Sequence, residues 1–176
     1  MTFGQKRKGN KTRKPASPSR ADKLYNFGRK DPFEARQKLS EPTRCPSCEA
    51  LFVDGRWTWE TPEPDADVVE ELCPACQRAK QGIPAGQVEL KGDFLAEHYN
   101  EIRNLVQNEA KAEKVDHPLE RIMAADAQNG RLYIETTGIH LARRIGDAVH
   151  NAYEGELNVT YLDGEHRIQV EWERQS

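Results

Sequence analysis

Four cysteines are the side chains whose type and spacing best suit chemistry. They form two matched knuckles, Cys45-Pro46-Ser47-Cys48 and Cys73-Pro74-Ala75-Cys76, in a C-x2-C-x24-C-x2-C arrangement. A two-residue spacer lets one tight turn aim two thiolates at a single ion, and two such turns complete the tetrahedron that zinc prefers. The pattern predicts one structural zinc ion held by Cys45, Cys48, Cys73 and Cys76. Iron at a rubredoxin-like site uses the same ligand set and stays open. Paired structural disulfides are the weaker alternative, because nothing in the sequence points to an oxidising compartment. A redox-active C-x-x-C fits poorly as well, since no thioredoxin-like strand–helix pattern surrounds either knuckle. Catalytic zinc keeps three protein ligands and a water, whereas four cysteines leave no open position, so metal catalysis is disfavoured.

The residues between the knuckles read as a zinc ribbon over 41–92. Leu51-Phe52-Val53 and Arg56-Trp57-Thr58-Trp59 flank Asp54-Gly55, which suits a type I′ hairpin. Val68–Leu72 can form a strand feeding the second knuckle, and Gln87-Val88-Glu89-Leu90 another after it. Such a region has little core, so metal binding should supply its fold. Trp57 and Trp59 share a strand face and are expected to pack over that core; base stacking or partner contact is the alternative.

Residues 93–176 show a different rhythm. Asp93 can cap a helix running to about Lys114, with Leu95, Tyr99, Ile102 and Val106 on one stripe. Arg121–Ala127 and Arg131–Thr136 bracket Asn129-Gly130, a strong hairpin signal. Thr136-Thr137 offers a cap for a second helix near Ile139–Tyr153, carrying Leu141, Ile145, Ala148, Val149 and Ala152 on one face. Leu157–Leu162 and Arg167–Glu173 flank Asp163-Gly164 as a second hairpin. The expected class is α+β: α-ββ-α-ββ, with a four-stranded, antiparallel sheet and helices on one face. The outer sheet face, with Arg131, Tyr133, Glu135, Asn158, Thr160, Gln169 and Glu171, lacks the aromatic strands of an RRM and is not expected to read bases. His140, Arg143 and Arg144 form either a local anion-binding edge or a solvated helix face.

No nucleophile–base–acid set appears at recognisable spacing, and His98-x-x-Glu101 reads as a surface contact. There is no Walker loop, no G-x-G-x-x-G and no nucleophile elbow. The chain is therefore expected not to be an enzyme and to have no small-molecule substrate.

At 176 residues with 36% hydrophobic and 31% charged side chains, the chain is polar enough that part of it should lie outside any core. Its net charge of −3 averages over unlike regions: residues 1–40 sum to +9, residues 41–92 to −5 and residues 93–176 to −7. The first twenty residues hold Lys6, Arg7, Lys8, Lys11, Arg13, Lys14 and Arg20 and no acid, a composition expected to be disordered when alone. Such an arm can bind polyanions by counterion release, or remain a solvated tail. Behind it Tyr25, Phe27 and Phe33 interleave with Lys23, Arg29 and Lys30; the aromatics either stack on unpaired bases or clip the arm to the body. The candidate RNA-binding residues are thus the seven cations of the arm together with Tyr25, Phe27, Arg29 and Lys30. No apolar run is long enough to cross a bilayer and no secretory signal is apparent, so a cytoplasmic location is expected.

Cys73-Pro74-Ala75-Cys76-Gln77-Arg78, Ile83-Pro84-Ala85-Gly86 and Val88-Glu89-Leu90-Lys91-Gly92-Asp93-Phe94 resemble a little-characterised bacterial zinc-ribbon family. That line is loosely similar to the zinc region of the archaeal and eukaryotic adaptor for nuclear export of the large ribosomal subunit. Glu101-Ile102, Asn108-Glu109 and Thr136-Thr137 with His140-Leu141-Ala142 extend the resemblance, which covers about residues 45–153. It implies a non-enzymatic partner of the ribosome, ribosomal RNA or ribosomal proteins, with the four cysteines as metal ligands. The adaptor has more cysteine pairs and further domains, and its export role does not transfer. The expectation is a cytoplasmic zinc-ribbon protein that binds the ribosome or structured RNA through its arm, in assembly or dormancy. A transcription-associated zinc-ribbon adaptor and a zinc- or redox-responsive regulator are the alternatives.

Overall fold

In the computed structural model, which describes Pro32, Phe33, residues 39–162 and residues 166–176, turn chemistry accounts for the tightest connections. Strands β2 (Leu51–Val53) and β3 (Arg56–Thr58) pair antiparallel across Asp54-Gly55, both central residues having positive φ, as a type I′ turn requires. β2 also pairs antiparallel with β1 (Thr43–Arg44), and β1 runs parallel to β4 (Val69–Glu70). The ribbon sheet therefore has the order β3-β2-β1-β4. Helix α1 (Pro74–Gln81) follows the second knuckle, with Pro74 in its first turn, where a missing N–H costs nothing.

The second sheet has five strands in the order β6-β7-β5-β9-β8. They are β5 (Gly86–Lys91), β6 (Ile122–Gln128), β7 (Arg131–Thr136), β8 (Glu156–Leu162) and β9 (Arg167–Glu173). The expected single four-stranded antiparallel sheet is thus corrected to two sheets, the larger one mixed. The cause lies in β5, whose Val88 and Leu90 alternate with Gln87 and Glu89 and are fully buried. The ribbon's small cysteine core cannot cover two such side chains. Instead β5 closes the gap between the two hairpins, antiparallel to β7 and parallel to β9.

Three helices cover one face: α2 (Asp93–Glu97), α3 (Tyr99–Asp116) and α4 (Ile139–Tyr153). The single helix expected from Asp93 is two, broken at His98, and Gly92 rather than Asp93 caps it. Phe94 N–H bonds the Arg174 carbonyl there, so the entry of the helix is set by the C-terminal strand. The expected stripe survives the break: Leu95, Ile102 and Val106 are buried and Tyr99 packs at their edge. α4 matches its expected span, though Gly138 and not a threonine side chain precedes it. It lies across β9, β5, β8 and β7, while α3 packs on α4. The approach is close at Gly86, where a Cβ would come within 2.3 Å of both Ala142 Cβ and Thr136 Oγ1. Leu141, Ile145 and Val149 of α4 meet Leu132, Ile134, Ile168, Val170 and Trp172 of the sheet in one core. Among the described residues no helix is long and apolar enough to cross a membrane.

Candidate metal centre

The first knuckle grows directly out of the ribbon sheet. Cys45 follows β1, its N–H bonding the Ala50 carbonyl at 2.8 Å and its carbonyl accepting from Glu49 N–H at 2.8 Å. The second knuckle is a helix start: Cys73 is extended at the N-cap of α1, and its Sγ accepts from Cys76 N–H at 3.4 Å. A thiolate at that position faces the positive end of the helix. Cys45, Cys73 and Cys76 are buried, and Cys48 is half-buried.

All four Sγ atoms lie within 4.8 Å of one another, and among the described residues this is the one cluster of metal-ligating side chains. Zinc–sulfur bonds of about 2.3 Å at tetrahedral angles place sulfurs about 3.8 Å apart. Cys48 and Cys73 Sγ stand at 3.7 Å, far beyond the ~2.05 Å of a disulfide. The tetrad therefore fits a metal ion in a closed thiolate cage, and all four cysteines are free. As thiols, Cys48 has its pKa drawn down to about 4, chiefly by the hydrogen bond it shares with Cys73, while that bond and burial push the Cys73 pKa up.

Around the cage pack Trp57, Leu72 and Leu119. Trp57 also meets Phe52 across the hairpin, with ring centroids 5.5 Å apart, so packing accounts for it. Trp59 takes another role: its Nε1–H donates to the Lys114 carbonyl at 2.6 Å, tying the ribbon to the end of α3. Arg121, from the opposite half of the chain, donates through Nη2 to Cys76 Sγ at 3.2 Å. Leu119, Glu120 and Arg121 were invisible as site residues in the sequence. They follow His117-Pro118 with no periodicity, and no spacing rule links Arg121 to cysteines 45 residues away.

Glu120 is buried at the start of α4, where its Oε2 accepts Leu141 N–H at 2.9 Å. The carboxylate lies so close to Gly138 that a Cβ there would come within 2.1 Å of it. Burial raises the Glu120 pKa above the usual carboxylate value, against the opposing hydrogen bond from Leu141.

The predicted RNA-binding residues Lys6, Arg7, Lys8, Lys11, Arg13, Lys14, Arg20, Tyr25, Phe27, Arg29 and Lys30 lie outside the described residues. Phe33 is described and carries the Arg78 guanidinium over its ring at 4.5 Å, in line with a clip against α1. His98 pairs with Glu101 at 3.2 Å and stacks on Phe94, a surface contact as expected. On α4, Arg143 pairs with Asp147, and Arg144 with Glu109 and Glu113, so salt bridges hold the suggested anion edge. No family model matches the chain, and no curated protein or solved structure matches it either.

Proposed function

We propose that the chain is a non-enzymatic zinc-ribbon protein that binds the ribosome or another structured RNA through its basic N-terminal arm, acting in assembly or dormancy. The observation that carries the metal-binding part of this reading is the closed tetrad of sulfurs, Cys45, Cys48, Cys73 and Cys76, within 4.8 Å. Thiolates at that spacing suit zinc in a structural role, holding a ribbon whose own core is small.

The distribution of charge supports the arm as the element that meets phosphate. Residues 41–176 carry a net −12, the sum of −5 and −7, and a body of that sign repels nucleic acid. Several of its cations are also engaged locally: Arg131 on Glu89, Lys91 near Glu171 and Glu173, and Arg144 on Glu109 and Glu113. The arm has the opposite character, with seven Lys/Arg and no acid in its first twenty residues. Neutralising phosphates with such a segment releases counterions and gives salt-dependent binding. The loose similarity of the cysteine region, through the bacterial zinc-ribbon family it resembles, to the large-subunit export adaptor favours the ribosome over other RNA. In a cytoplasmic setting, tagged protein should co-sediment with ribosomal fractions on a sucrose gradient at low salt and leave them as salt rises. Absence from those fractions at low salt refutes the ribosome assignment.

A further inference from the structure

Arg121 reaches the cage from the five-stranded sheet, and its backbone is fixed before its side chain arrives. Its N–H donates to Thr137 Oγ1 at 2.8 Å, and its carbonyl accepts from Thr137 N–H at 2.9 Å. The same hydroxyl donates to the Leu119 carbonyl at 2.6 Å. From this anchored start the guanidinium extends to Cys76 Sγ at 3.2 Å and Cys73 Sγ at 3.7 Å. Its neighbours complete the joint: Leu119 packs on the cysteines, and Glu120 caps α4. Three consecutive residues thus connect the cage, the sheet and the first turn of a helix.

We infer that Arg121 is a positioning residue of the metal centre: it raises metal affinity and makes docking of the ribbon on the α+β body depend on the bound ion. This inference rests on the metal-binding reading above. Four thiolates around a divalent ion carry a net charge of about −2. A guanidinium at their sulfurs offsets part of that charge through hydrogen bonds that are roughly twice as strong as neutral ones. Among the described residues Arg121 Nε is buried with no hydrogen-bond partner, so the sulfurs supply much of the compensation for placing the guanidinium there. Once the ion is withdrawn, the sulfurs lose their fixed arrangement and Arg121 loses its pair of acceptors. The ties that do not involve the thiolates, such as the exposed Trp59–Lys114 contact, are then left to hold ribbon and body together.

The test compares full-length wild type, Arg121→Met and Arg121→Lys in two measurements. Competition for Zn2+ with a chromophoric chelator reads affinity. Arg121→Met is expected to bind about 10- to 100-fold more weakly, the range for lost partners around metal ligands. Arg121→Lys keeps the charge without the fork and should lose less. Hydrogen–deuterium exchange with and without Zn2+ reads docking. In wild type, removing zinc should speed exchange at residues 119–122 and 139–143; in Arg121→Met these segments should no longer respond. Wild-type affinity in Arg121→Met, with one zinc per chain in both proteins, overturns the inference alone. Exchange at 119–122 and 139–143 that ignores zinc in wild type does the same. If Arg121→Met fails to fold, Arg121→Lys decides on the same two readouts. A wild type that takes up no zinc overturns the metal reading and this inference with it.

Discussion

Cys45→Ser should separate the ribbon from the body energetically. Cys45 is fully buried, and with Cys73, Ala75 and Cys76 it makes up the cluster at the ribbon's centre. Between residues 41 and 82, Leu51 is the one large apolar side chain that is buried. Burying a leucine contributes ~1.5–3 kcal/mol, whereas fixing the backbone of ten residues costs ~10–20 kcal/mol. Packing alone therefore cannot hold the ribbon. Structural zinc contributes ~10–16 kcal/mol apparent, or about 2.5–4 kcal/mol per thiolate if shared equally. Removing one ligand should then weaken zinc binding by roughly two to three orders of magnitude. The body should persist, because Leu90, Ile134, Leu141, Ile145, Val170 and Trp172 pack without any contribution from the cysteines. The assay combines zinc content per chain, chelator competition and resonance dispersion of the ribbon amides beside the thermal melt of the body. One zinc per chain retained at wild-type affinity would refute the four-thiolate site. Loss of the body's cooperative melt together with the ribbon would refute the separation.

Other changes test other parts of the molecule. Deleting residues 2–20 should abolish RNA binding in a mobility-shift assay while leaving the thermal melt unchanged; equal affinity before and after deletion argues against an RNA-binding arm. Glu120→Gln keeps an acceptor for Leu141 N–H but cannot ionise. Because burial raises the native Glu120 pKa, the folded state holds a proton that the unfolded chain releases, so wild-type stability falls as pH rises from the ordinary carboxylate value through the raised one. Urea melts from pH 5 to 8 should show the variant gaining on wild type with rising pH, and parallel profiles would contradict the burial argument. Gly86→Ala should destabilise the body by ~1–3 kcal/mol through overpacking against Ala142 and Thr136, and an unchanged melting temperature would count against that close approach.

What was legible in the sequence was what local chemistry encodes. Asp54-Gly55 and Asn129-Gly130 announced their hairpins because positive φ at both central positions demands such residues. The two C-x-x-C knuckles announced their cluster because ligand spacing is itself a geometric statement. The alternation in β8 and β9 and the stripe on α4 likewise placed the core faces. The partnership of β5 was not legible. A parallel pair needs no turn, so nothing near Val88 points to Val170. Arg121 escaped for the same reason: its bond to Cys76 belongs to the assembled fold, and an arginine before a strand looks ordinary. The break at His98 was hidden because the buried stripe runs through it without interruption.

The parallel pairing of β5 also sets an order of events during synthesis. β5 leaves the ribosome soon after the second knuckle, but its partner β9, which begins at Arg167, follows only after β6, β7, α4 and β8. The ribbon has all its ligands by residue 76 and can close on a metal ion while most of the body is still unmade. The large sheet must wait, since its central strand stays unpaired on one edge until residues 167–173 arrive and close a long loop. Residues 86–91 therefore spend the interval as an alternating strand with one open edge next to a finished ribbon, a stretch open to mispairing during biogenesis.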